Sequence, residues 1–598
     1  MDSLRQKLVG LINSTKRKKP YRCEVEYVES TEKDAFFPLF PTDNMVDSTT
    51  SWEVRLSFND VSSTGQLMGF GYSGNNRYNL GIESSKFRFA YSTTWFDAAI
   101  PTPDTNPHTW RLEPTGLRTA DAYFDGQKTS VSASSDFGEH DWFVGVGGRS
   151  TSSNQIQSAN AFGWKLYYSK LWKAGKLVAD VIPVIDWNDK PCLYDKISGK
   201  LIYATIRYTL NTGGEYATIT AGREIHKVAY LESTEDAKQW INTGYNVNTA
   251  TDEIELDFQF LSDTIYKWIF GDHYGTSRLA IGSGDGAGKR NLAYGTTTYK
   301  IADKYILNTK HHYKIDSTGA YIDGDKLANY SSFTGSANLY LFSININSTS
   351  NYTTTGRFWK YSHKRNGNYL RDMYPAIDEN GVGFMFDRVT HTIFDNQGTG
   401  AGFNYPPVEV EYLESTGTQY IDTGVNTTNT LGFDVKFEWD TWNTANSRFM
   451  GVIKQDGSNY LRHHSSDSTQ TFQYFVSNAA TIIQDPAVTG VKHDFKFNSN
   501  TRKYTFDDIE INESSSATFN TGLNYWLFGR NSNTESLKNY ASLKIYSAAL
   551  YDNTNTALRK FVPAIMNGRI GMYDKITKTL YENAGTGDFI AGKIKEHR

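Results

Sequence analysis

One seven-residue phrase occurs three times in this chain, and that repeat constrains the fold more than any other feature. It reads Val25-Glu26-Tyr27-Val28-Glu29-Ser30-Thr31, then Val228-Ala229-Tyr230-Leu231-Glu232-Ser233-Thr234, then Val410-Glu411-Tyr412-Leu413-Glu414-Ser415-Thr416. Other matches keep the same register. His108-Thr109-Trp110-Arg111 corresponds to His311-His312-Tyr313-Lys314 and to His493-Asp494-Phe495-Lys496, and each leading His follows its opening Tyr by 81 positions. Near the end of each copy, Val181-Ile182-Pro183, Met373-Tyr374-Pro375 and Phe561-Val562-Pro563 align. They lead to Leu193-Tyr194-Asp195-Lys196, Met385-Phe386-Asp387-Arg388 and Met572-Tyr573-Asp574-Lys575. Self-similarity at a fixed period marks repeated structural units. A chain of 598 residues is also too long for a single core. The expected domains are therefore residues 21–223, 224–406 and 407–598, behind an N-terminal segment of residues 1–20.

Inside each copy the apolar period is two. Val54, Leu56 and Phe58 alternate with Glu53, Arg55 and Ser57. Ile254, Leu256, Phe258 and Phe260 alternate with Glu253, Glu255, Asp257 and Gln259, and Val435, Phe437 and Trp439 with Asp434, Lys436 and Glu438. Strict alternation predicts strands with one face on a core and one toward solvent. Asp125-Gly126 and Asp323-Gly324 suit two-residue hairpin turns. An aromatic content of 14% and 49 glycines against 14 prolines fit many short strands joined by tight turns. The expected class is all-β. Only residues 1–20 read as helical, with Leu4, Leu8, Leu11 and Ile12 at helical spacing, basic residues around them, and Pro20 as the stop.

Tyr412-Leu413-Glu414-Ser415-Thr416-Gly417-Thr418-Gln419-Tyr420-Ile421-Asp422-Thr423-Gly424 resembles the opening of a domain found in structural proteins of tailed phages and prophages. The close, from Phe561-Val562-Pro563-Ala564 through Gly571-Met572-Tyr573-Asp574-Lys575 to Asn583-Ala584-Gly585-Thr586-Gly587-Asp588-Phe589, resembles the end of the same domain. That family is similar to concanavalin A-like, laminin-G-like jelly rolls. The second copy keeps the phrase as Trp240-Ile241-Asn242-Thr243-Gly244, whereas the first reads Phe37-Pro38-Leu39-Phe40-Pro41 instead. The resemblance implies three tandem concanavalin A-like sandwiches preceded by a short helix, in a virion surface protein such as a head fibre, a decoration protein or a tail-fibre-like component. Other capsid or tail proteins are its implied partners, homo-oligomers are admitted, and Leu4, Leu8, Leu11 and Ile12 would anchor it. The alternatives are an adhesin for host-surface or mucosal glycans, and a polysaccharide hydrolase.

Composition and spacing narrow the chemistry. Net charge is only −4, which provides no global field for nucleic acid or anionic membrane. Lys16-Arg17-Lys18-Lys19 is a lone basic tetrad on an otherwise acidic chain and reads as the solvated end of the helix. No apolar run approaches the roughly 20 residues of a membrane span. The run Leu8–Ile12 falls short of the roughly 7–15-residue core of a secretion signal, so synthesis in a bacterial host cytoplasm and release with the virion are expected. Glu253, Glu255 and Asp257 share one strand face, as a glycanase would require, yet the equivalent strands carry Glu53/Arg55/Ser57 and Asp434/Lys436/Glu438. No catalytic residue is assigned. His311-His312 and His463-His464 are adjacent on strands and point to opposite faces, so neither pair chelates by itself. The aligned His108, His311 and His493 are expected at a turn or a packed edge. No metal or cofactor is assigned. Trp95 and Trp442 lack aligned partners and are the aromatic candidates for a glycan, although the glycan-binding residues are left open. Cys23 and Cys192, the only cysteines, both fall in the first copy and could meet there.

Overall fold

The computed structural model describes residues 19–30, 35–38, 47–62, 64–71, 77–100, 102–137, 145–146, 149–152, 155–157, 163–209, 213–216, 219–234, 238–262, 267–273, 275–283, 290–301, 307–439, 448–453, 461–465, 472–476, 479–484, 488–512, 518–534 and 539–596. The regular structure among them is all strand and no helix. Residues 1–18 lie outside the described set, and with them Leu4, Leu8, Leu11 and Ile12. Trp442 is outside it as well, with residues 440–447.

The chain divides into two compact units. One comprises residues 1–378, 384–400 and 596–598, and the other residues 379–383 and 401–595. In the first unit, a 21-stranded sheet runs through the first and second copies, backed by a 10-stranded sheet in the first and an 8-stranded sheet in the second. The second unit holds an 11-stranded and an 8-stranded sheet.

Alternation in the sequence translates directly into burial. Along Thr50–Phe58 and Asp252–Phe260 the apolar residues are buried, while the intervening Glu53, Arg55, Glu253, Glu255 and Asp257 are half-exposed. Gly432–Trp439 follows the same rule. Each of these strands lies between two antiparallel neighbours. Val54 opposes Trp110 on one side and Ser169 on the other, Leu256 opposes Tyr313 and Tyr361, and Val435 opposes Phe495 and Ala548.

Their apolar faces meet a second sheet through aromatic rings. Trp52 lies 6.0 Å from Tyr78 and 6.2 Å from Phe89, Tyr361 lies 6.0 Å from Phe270, and Phe433 lies 6.4 Å from Tyr525. Aromatic contact of this kind adds about 0.5–1.5 kcal/mol per pair beyond area burial.

Asp125-Gly126 and Asp323-Gly324 form two-residue hairpin turns with both residues at positive φ. Asp507-Asp508 makes the same turn in the third copy, with φ of 46° and 67° and no glycine. Cys23 and Cys192 are both buried and both free thiols.

The link between the first two copies is stitched into the sheet. Glu24 and Val25 pair antiparallel with Ile225 and Glu224, while Val28 and Glu29 pair with Ala221 and Thr220. The opening strands of the two copies therefore lie side by side and run in opposite directions.

Candidate functional site

The three aligned histidines lie at or next to the start of equivalent strands, and each holds a hairpin shut. Nδ1 of His108, His311 and His493 lies 2.6, 2.6 and 2.7 Å from Oδ2 of Asp125, Asp323 and Asp507. The other oxygen of each aspartate accepts the backbone N–H of Thr109, His312 or Asp494 at 2.8 Å. Each aspartate's own N–H returns to the carbonyl of that same residue. The aspartate is the first turn residue, so this clamp fixes both the hairpin and the start of the strand that opens it. His108 carries a second carboxylate, Asp104, at 2.7 Å from Nε2. Burial works against its charge, but the hydrogen bonds to Asp125 and Asp104 outweigh it and hold the imidazolium above its ordinary range. His311 is buried and His312 exposed, as opposite strand faces require. His463 and His464 lie on the strand Leu461–Ser465.

The acidic strand in the second copy is neutralised residue by residue. Lys364 donates to Glu253, Lys360 to Glu255 at 3.4 Å, and Lys310 to Asp257 at 2.8 Å. Asp257 also meets Nδ1 of His312 at 2.7 Å. Each carboxylate thus faces a cation; burial would raise the Asp257 carboxyl, but the hydrogen bonds from Lys310 and His312 outweigh it and hold it below the usual carboxylate range. In the first copy Glu53 accepts from the Tyr168 hydroxyl at 3.0 Å, and in the third Glu438 accepts from the Tyr546 hydroxyl at 2.6 Å.

Two arginines absent from the sequence-level candidates support the Thr-Gly phrase. Nε of Arg371 donates to the Thr243 carbonyl at 2.9 Å, and Nε of Arg559 to the Thr423 carbonyl at 3.2 Å. Asn242 and Asp422 accept from the N–H of Gly244 and Gly424, which sit at φ of 82° and 67°. In the first copy the aligned residue is Ala179, and the Thr-Gly phrase has gone with it. The arginine and the phrase are thus present together in the second and third copies and absent together from the sequence of the first. Beside these segments Trp240 stacks on Tyr340 at 4.3 Å, and Tyr420 on Trp526 at 3.8 Å. In each pair the first ring is half-exposed and the second is buried. Trp95 is half-buried on the short strand Thr94–Asp97.

Among the described residues, a group of Cys, Glu and His side chains close enough to share a metal ion lies where the opening strands of the first two copies meet. Guanidinium nitrogens of Arg22 donate to both oxygens of Glu224, at 2.6 and 3.0 Å. Nε2 of His226 lies 2.7 Å from Oε2 of Glu224, and its Nδ1 lies 2.6 Å from Oε1 of Glu596. Cys23 completes the group, with ligand atoms of Cys23, Glu224 and His226 all within 4.8 Å of one another. His226 and Cys23 are buried, and Glu224 is half-buried. Burial would raise the Glu224 carboxyl, but His226 and Arg22 outweigh it and hold it down at about 2. Desolvation, followed by the Glu224 charge, pushes the Cys23 thiol far above its usual range. Sequence reasoning missed this group because it joins two copies. The available signal was positional: Cys23 and His226 each stand four residues before an opening Tyr, where the third copy has Val408.

No protein-family model and no curated protein matches the chain. Among solved structures, the LG1-3 region of the laminin α2 chain is similar at a TM-score of 0.25 and 10% identity, covering 96% of this chain and 100% of that one. Domains LG4-5 of the mouse laminin α1 chain align at 0.22 and 12% identity, over 58% of this chain and 92% of that one. A Trypanosoma rangeli sialidase in complex with sialic acid aligns at 0.18 and 11% identity, over 84% and 83%. The all-β assignment stands on the chain's own strands.

Proposed function

We propose that this chain is a non-enzymatic surface protein of a tailed-phage virion: a head fibre, decoration or tail-fibre-like component built of three concanavalin A-like jelly-roll modules. Residues 1–20 hold it to the particle, and the modules face outward. The observation that supports this reading best is how the recurring polar residues are used. The His–Asp clamps fix turns, Arg371 and Arg559 support the Thr-Gly phrase, and the acidic strand of the second copy is paired with lysines of its neighbours, as a repeated display scaffold requires. The test is deletion of residues 1–20, with incorporation into particles measured and β structure followed by circular dichroism. Loss of incorporation with intact β structure is the expected result. Absence of even the full-length chain from particles refutes the virion reading.

A glycan-binding adhesin is the second reading, favoured by the half-exposed rings of Trp240 and Tyr420 stacked over buried aromatics. Such faces can stack on pyranose rings. Retention on host polysaccharide that drops at least tenfold in Trp240→Ala or Tyr420→Ala supports it, and retention unchanged in both variants removes it.

A further inference from the structure

The register of the opening strands places Cys23 directly opposite His226, since Glu24 pairs with Ile225 and Val25 with Glu224. Glu224 lies two residues from His226 and so on the same face of its strand. One thiol, one imidazole and one carboxylate thus converge from two copies of the repeat. We infer that Cys23, Glu224 and His226 form a binding site for a divalent transition-metal ion of the zinc class, which fastens the first copy to the second.

Three features favour an ion over a purely proton-held network. The first is distance. Metal–ligand lengths of about 2.0–2.3 Å place tetrahedral ligand atoms roughly 3.3–3.8 Å apart. The present spread of up to 4.8 Å closes to that range with side-chain adjustments of about 1 Å.

The second is orientation. Glu596 at 2.6 Å from Nδ1 fixes the imidazole with Nε2 toward Glu224, the carboxylate–histidine arrangement that supports metal ligands. Arg22 holds Glu224 in place from the outer side. The third is ligand chemistry. Thiolate with imidazole selects zinc, cobalt or similar ions over calcium and magnesium. On binding, the Cys23 thiol proton and any proton shared between Nε2 of His226 and Glu224 pass to solvent, so the ion replaces positive charge already present. Three protein ligands would leave the fourth tetrahedral position to a water molecule.

The test uses the full-length protein, freed of metal by chelator and titrated with Co²⁺. One equivalent is expected to bind, with a thiolate charge-transfer band in the near ultraviolet that excess Zn²⁺ abolishes. The chain has two cysteines, so Cys192→Ser retaining the band assigns it to Cys23 without touching the site. Cys23→Ser should remove the band, and Glu596→Gln should weaken binding about tenfold. Absence of a thiolate band in the unmodified protein overturns the inference. So does a band that disappears in folded Cys192→Ser, or one that survives Cys23→Ser. None of these outcomes depends on virion incorporation.

Discussion

Acid should loosen the first unit through His391. This histidine is buried, and its Nε2 donates to the carbonyl of Val25 at 2.8 Å, across from the second copy to the first. Its ring meets Phe386 edge-on at 4.8 Å. Burial is the main reason its pKa drops to about 3; the bond to Val25 opposes the fall and the Lys196 charge adds to it. An unfolded histidine titrates near 6.5. Between these values the unfolded chain binds a proton that the folded chain refuses, so stability falls as pH falls below about 6.5. Linkage from those two values gives a loss of about 2 kcal/mol between pH 7.5 and 5, and about 3 kcal/mol by pH 4. Urea unfolding of wild type and His391→Gln at several pH values isolates this contribution, since groups unaffected by the substitution cancel in the difference. Gln keeps a donor near the Nε2 position without a titrating ring. The stability advantage of wild type should shrink by about 2 kcal/mol from pH 7.5 to 5. Parallel pH profiles for the two proteins would refute the reasoning.

Two further outcomes follow from the turns. His108 has the opposite sign to His391: its raised pKa makes its contribution fully present below about 6.5 and lost as pH rises through the higher folded value. Wild type minus His108→Gln, measured by thermal unfolding, should therefore decline from pH 6 to 8, and a difference that grows would be fatal to the clamp. Asp508 occupies a left-handed position at φ 67° that is glycine in the other two hairpins. Asp508→Gly should raise the stability of the second unit by roughly 0.5–1 kcal/mol in urea titrations, and a loss would show that the Asp508 side chain supports the turn.

Much of the fold was legible because strand side chains alternate with period two. Glu253, Glu255 and Asp257 were placed on one face from spacing alone, and they share it. Glycine made two hairpins visible. The third was hidden because Asp507-Asp508 adopts the same backbone without one. The histidines aligned in sequence, but their partners did not stand out: Asp125, Asp323 and Asp507 follow at unequal distances of 17, 12 and 14 positions. What spacing could not reveal was charge cancellation on the acidic strand. Lys360 and Lys364 come from a strand about a hundred positions away, and only sheet pairing brings them to Glu255 and Glu253. The expected helix at residues 1–20 and its four apolar residues lie outside the described structure.

The joint between the first two copies is best recognised by residues whose partners differ from those of their counterparts in the other copies. The turn after Asp195, Asp387 and Asp574 puts its fifth residue in the left-handed region each time, at Gly199 (φ 71°), His391 (φ 51°) and Lys578 (φ 58°). Glycine is strain-free there, and a side chain costs about 1 kcal/mol. Lys578 is exposed. His391 is buried, and what it gains in return is the bond to Val25. The same logic applies four residues before each opening tyrosine, where Val408 fits an ordinary strand but Cys23 and His226 face each other. Neither substitution improves the module taken alone. Both acquire a purpose only when the first two opening strands are paired, so these residues report on the mutual packing of the two copies and not on a ligand presented to the outside.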